Sequence, residues 1–126
     1  MTTPSETNSL AALQAQVHAW IEEVGKGYFS VLTNTALLME EVGELARLLA
    51  RHYGDQTFKE GEDASPHALA EEFADVLFVL ICLANQTGVD LAQAFQSKLA
   101  KKTVRDRERH AARVQASTQG PHPSSM

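Results

Sequence analysis

Two acidic runs, Glu40-Glu41-Val42-Gly43-Glu44 and Glu71-Glu72-Phe73-Ala74-Asp75, interrupt stretches that are otherwise largely apolar. Residues three and four apart share a helix face, so Leu37, Glu41, Glu44 and Leu48 form one row and Ala68, Glu72, Asp75 and Val79 another. Each row turns a carboxylate pair toward the side that should be buried. A carboxylate taken from water costs several kcal/mol unless it is paired or binds a metal. No local cation is spaced to neutralise both pairs. Brought together, the rows would gather four hard oxygen donors, the set that suits magnesium or manganese. Glu40 and Glu44, four apart, repel on an isolated helix, so this arrangement is unfavourable without a cation. The two runs also align as a weak internal repeat with a small residue, Gly43 or Ala74, before the last acid. That pattern predicts close approach of two helix backbones there.

The elements that must position these carboxylates are helical. A first helix is expected from Ser9 to Val24, with Ser9 as N-cap and Leu10, Leu13, Val17, Trp20, Ile21 and Val24 on one face. Trp20 is read as a core residue of that face. Gly25 and Gly27 stop the helix, and a second runs from about Val31 to His52, ended by Gly54. The polar segment from Asp55 reads as a loop. Ser65-Pro66 opens a third helix reaching Thr87, expected to be buried nearly all round between Val76 and Leu83. Asp90 caps a fourth, which continues through a basic stretch to about Arg113. No segment has the β-branched alternation of a strand. The expected fold is all-α, a four-helix core of antiparallel neighbours, with a flexible N-terminus at 1–8, one domain over 9–113 and a disordered tail at 114–126.

Composition narrows the function further. The 126 residues suffice for one core, and a formal charge of −5 argues against a broad nucleic-acid-binding surface. The single cysteine, Cys82, lies in the most apolar run and reads as a buried small hydrophobe. No stretch nears the roughly 18 apolar residues of a membrane span. The first residues have no cationic region followed by an apolar one, so a reducing, cytoplasmic setting is expected. His52 and His67 lack a second His at ligand spacing and suggest no zinc site.

The residues Glu40-Glu41-Val42-Gly43-Glu44-Leu45, then Glu72-Phe73-Ala74-Asp75-Val76-Leu77, then Lys98, Lys101 and Arg105 resemble the MazG-like all-α nucleoside triphosphate pyrophosphohydrolases, whose signature is EExxE followed by ExxD. The likeness covers roughly Leu10 to Arg109. It implies hydrolysis of a (deoxy)nucleoside triphosphate to the monophosphate and pyrophosphate, with magnesium or manganese as cofactor, in a homodimer or homotetramer. By position, Glu41, Glu44, Glu72 and Asp75 match the family's metal ligands. Glu40 matches an extra acid that holds a further metal or orients the attacking water. Lys98, Lys101 and Arg105 share one helix face and, under the resemblance, would point at phosphate oxygens. Tyr28 and Phe29, just ahead of the second helix, are the aromatic candidates for contact with the base. Two other readings stay open. One is a non-enzymatic helical module binding a basic partner; the other is a magnesium-dependent phosphohydrolase acting on a phosphoribosyl-nucleotide.

Overall fold

Hydroxyl caps set where three of the helices begin. The computed structural model describes residues 7–62 and 65–119, and its regular elements are α1 (Leu10–Glu23), α2 (Val31–Tyr53), α3 (Pro66–Gln86) and α4 (Leu91–Gln119). Ser9, Ser30 and Ser65 accept hydrogen bonds from the backbone N–H groups of Ala12, Thr33 and Ala68, and Pro66 occupies the first turn of α3, where its missing N–H is harmless. The described residues form no strand. The all-α expectation holds.

The direction of packing follows from which residues meet. Asn34 bonds Gln86, Glu41 lies with Glu72 and Asp75, and Leu48 shares a cavity with Ala68, so α2 and α3 run antiparallel. Gln14 bonds Asn85 and Trp20 meets Phe78, so α1 is antiparallel to α3 as well. Between α1 and α2 the chain must therefore travel back along α3 before it re-enters a helix. Lys26 at φ 61° and Gly27 at φ 115° make the reversal, and residues 28 and 29 then run beside Asn85 and Gln86. There Asn85 donates to the Tyr28 hydroxyl and to the Gln14 carbonyl, while Gln14 donates to the Val89 carbonyl and accepts from the Leu91 N–H. This network joins both ends of the connection to the end of α3.

Burial concentrates in the C-terminal half of α3. Val79, Ile81, Cys82 and Ala84 are buried, joined by Ile21 from α1 and Leu48 from α2. A side chain the size of Ile81 contributes roughly 1.5–3 kcal/mol when fully buried. Three expectations give way here. Leu77 and Leu80 are exposed, so α3 is not buried all round; Trp20 is 49% exposed, so it is not a core residue; and a Cβ on Gly43 would meet nothing within 4 Å. Gly43 therefore does not mark a close backbone approach. Gly54 ends α2 as expected: its backbone is extended, and a Cβ there would stand 2.5 Å from the Ala50 carbonyl oxygen.

The chain divides into two compact units, one ending at Leu91 and one beginning at Ala92. The second is α4, which continues through Gln119, so residues 114–119 are helical where a disordered tail was expected. Residues 120–126 lie outside the described residues, as do 1–6 of the expected flexible N-terminus. Thr7, also within that stretch, accepts a hydrogen bond from Gln16 on α1. Among the described residues, no helix is long and apolar enough to cross a membrane.

Candidate metal centre

Antiparallel pairing of α2 and α3 brings the two acidic rows face to face. Glu41, Glu72 and Asp75 each offer a carboxylate oxygen, and these atoms lie within 4.8 Å of one another. Glu44 is one turn along the Glu41 row and lines a cavity with Glu72, on which its charge acts. Glu40 lies outside the cluster, exposed on α2, and its charge still acts on Glu41. Among residues 7–62 and 65–91, no lysine or arginine pairs with any of these acids. Arg47 lines a cavity of about 250 Å³ with Glu44, Glu62, Glu71 and Glu72.

The electrostatics are those of an uncompensated site. Burial raises the Glu41 carboxyl above the usual carboxylate range, and the charges of Glu44, Asp75, Glu72 and Glu40 raise it further. Glu72 is raised by burial, then by Glu44 and Asp75, with a smaller effect from Glu71. One oxygen on each, Oε2, is buried and accepts no hydrogen bond. An orphaned buried acceptor calls for an explanation in a native fold, and here two of them face a third carboxylate. An oxygen-only donor set of this kind fits a hard divalent cation, which would satisfy both orphans and neutralise the cluster.

Glu62 is a feature the sequence did not flag. It pairs with the Arg51 guanidinium, accepts from the Lys59 N–H and lines the same cavity as Glu44 and Glu72. The Glu41 row points to its partner: continued past Leu48 it reaches Arg51, a cation on a face that should be buried. Continued the other way, the rows reach Asn34 and Gln86, two amides that bond one another. His52 packs edge-on against Phe58 at 4.9 Å, and His67 pairs with Glu71 across one turn.

The remaining predicted site residues lie apart from the carboxylates or in the second unit. Tyr28 is half-buried, its hydroxyl engaged by His18 Nδ1 at 2.9 Å and Asn85 Nδ2 at 3.1 Å. Phe29 is exposed and borders an apolar cavity between α1, α2 and α3. Lys98, Lys101 and Arg105 are all exposed on α4, and Arg105 pairs with its neighbour Asp106 at 3.1 Å.

Known proteins resemble this chain in sequence and fold. Residues 29–110 match the model of the MazG nucleotide pyrophosphohydrolase domain. The chain is 42% identical over 97 residues to the uncharacterized protein YpjD of Bacillus subtilis, covering 77% of this chain and 86% of that one. The crystal structure of Bacillus subtilis YpjD superposes with a TM-score of 0.67 at 39% identity, over 80% of this chain and 97% of that one. A second crystal structure, of a Bacillus-conserved MazG protein described as a nucleotide pyrophosphohydrolase, gives 0.63 at 38% identity over 76% and 90%. With both acidic rows inside the matched span, and relatives that share sequence and fold over most of their length, the chain belongs to the MazG nucleotide pyrophosphohydrolase family.

Proposed function

We propose that this protein hydrolyses a (deoxy)nucleoside triphosphate to the nucleoside monophosphate and pyrophosphate in a magnesium- or manganese-dependent reaction, as a nucleotide-pool house-cleaning enzyme. The observation that carries the reading is the Glu41–Glu72–Asp75 cluster, with two buried carboxylate oxygens that accept no hydrogen bond among the described residues. Glu41, Glu44, Glu72 and Asp75 would hold the metal. Once bound, such an ion neutralises phosphate charge and lowers the pKa of water, which leaves no need for a protein nucleophile. Glu40, exposed beside the cluster, would hold a further metal or orient the attacking water. Lys98, Lys101 and Arg105 would meet phosphate oxygens and offset charge that the metal leaves uncompensated.

Assembly belongs to the same proposal. Phe73, Leu77 and Leu80 form an exposed apolar stripe on α3, and Phe95, Leu99 and Val104 are exposed on α4. Surfaces of this kind favour association into a homodimer or homotetramer. The test of function is a panel of nucleotides with magnesium or manganese, following pyrophosphate and orthophosphate separately. Equal release of pyrophosphate and monophosphate is expected. Orthophosphate and a nucleoside diphosphate as first products would overturn the assignment, and full turnover in excess chelator would exclude the metal.

A further inference from the structure

The chain leaving α2 folds back onto the end of that helix and is held there by two neighbouring side chains. His52 meets the Phe58 ring edge to face, with centroids 4.9 Å apart at 79°. Arg51 pairs through Nη1 with Glu62 Oε2. Between these anchors the chain makes a tight turn: the Glu62 N–H donates to the Lys59 carbonyl at 3.0 Å, Gly61 takes φ 84°, and Glu62 Oε1 accepts from the Lys59 N–H at 2.6 Å. Both carboxylate oxygens of Glu62 are thus engaged, one by α2 and one by the turn itself.

This ion pair is unlike the others among the described residues. His67–Glu71 and Arg105–Asp106 are exposed on both sides, and such pairs contribute little. The Arg51 side chain is only 7% exposed and that of Glu62 25%. A charge buried that deeply is costly to place and costly to leave alone, so the pair calls for a reason beyond solvation of a surface. Its position supplies one. Arg51 continues the row Glu41, Glu44, Leu48 and lies about 10 Å along α2 from Glu44, while Glu62 lines one cavity with Glu44 and Glu72. Glu62 is therefore a fifth carboxylate beside the four proposed ligands, of the oxygen type that a hard cation recruits. Every coordination position that the protein fills is one lost to water and phosphate oxygens.

We infer that Arg51 is a positioning residue of the metal centre: it holds Glu62 in the cavity wall, balances its charge and keeps it out of the ligand set. The inference rests on the metal reading of the acidic site, and its test can fail separately. Titration calorimetry with manganese alone, at neutral pH, reads it. Arg51→Met keeps an unbranched apolar stem but removes the cation, leaving Glu62 free beside the ligands. Manganese affinity should then rise roughly threefold to tenfold, the scale of one unit charge acting on a divalent ion across about 10 Å of partly hydrated protein. Glu62→Gln keeps the shape and leaves Arg51 unbalanced, so affinity should fall by a similar factor. The double variant removes both charges and should return to within about twofold of wild type.

A merely structural pair would behave otherwise: both single variants would bind less tightly, and the double variant would not recover. That pattern overturns the inference, as does unchanged affinity in Glu62→Gln. Circular dichroism in chelator checks that each variant remains helical. If Arg51→Met alone loses its helicity, the comparison passes to Glu62→Gln and the double variant, where tighter binding by the double supports the role and equal or weaker binding overturns it. A wild-type protein that binds neither manganese nor magnesium removes the metal reading and this inference with it. Wild-type binding that none of the variants alters removes this inference alone.

Discussion

Replacing Glu72 by Gln removes one charge from the cluster while nearly preserving the side chain's shape, so it separates the metal's contribution from the packing. In the wild-type protein Glu72 carries a buried oxygen without a partner and is pressed by Glu44 and Asp75. Without metal, the variant should therefore be more stable than wild type at neutral pH, because the amide is spared that repulsion and the cost of burying charge. With metal the order should reverse. A cation at 100 times its Kd stabilises the folded state by about 2.7 kcal/mol. At roughly 4–8 °C per kcal/mol for a unit of this size, that is a rise in Tm on the order of 10–20 °C. Losing one of the four proposed ligands is expected to weaken binding about a hundredfold, near the upper end of what a metal site loses when a supporting group is removed. At the same metal concentration only about 0.4 kcal/mol then remains, worth roughly 2–3 °C. Differential scanning calorimetry of both proteins in chelator and in magnesium measures all four values. An undiminished magnesium shift in Glu72→Gln, or a metal-free variant less stable than wild type, would refute the role assigned to this carboxylate.

The raised carboxyls of Glu41 and Glu72 also fix the sign of the pH response. A raised acid penalises the fold when charged, so metal-free protein should gain stability as pH falls from 7 through the folded pKa values toward the ordinary 4.5; magnesium should reverse the slope because protons compete for the ligands. Tm measured against pH with and without chelator checks both signs, and Glu41→Gln should flatten the metal-free curve. Lys101→Ala and Arg105→Ala are expected to raise KM and lower kcat/KM by roughly tenfold, about 1.4 kcal/mol, with little change in metal affinity; unaltered kinetics in both would remove α4 from the site. Gly54→Ala should destabilise the fold by about 1–3 kcal/mol, read by urea unfolding, because its Cβ would press on the Ala50 carbonyl. Light scattering at micromolar concentration should show a dimer or tetramer, and monomer alone would contradict the reading of the exposed stripes.

Periodicity alone was enough to place the helices, because each rule involved is local. Ser9, Ser30 and Ser65 cap where hydroxyls precede periodic runs, and the rows of Glu41–Glu44 and Glu72–Asp75 follow from 3.6 residues per turn. Charge placement gave the candidate ligands for a similar reason: four acids on faces that should be buried demand compensation whatever the fold. What lay beyond the sequence were relations between distant segments. That Gly43 faces open space, that Leu77 and Leu80 are exposed, and that Trp20 is half-exposed depend on which side of α3 its partners cover. Helix α4 passes the expected stop at Arg113 and reaches Gln119, since residues 114–119 contain no glycine or proline to break it. The orientation of Asn34 required Gln86, 52 residues away, and the Phe29 carbonyl that holds Gln86 in turn. Spacing sets which residues share a helix face, a short-range property of the chain; only packing decides what each face meets, because burial and hydrogen bonding are settled between segments that the sequence keeps apart.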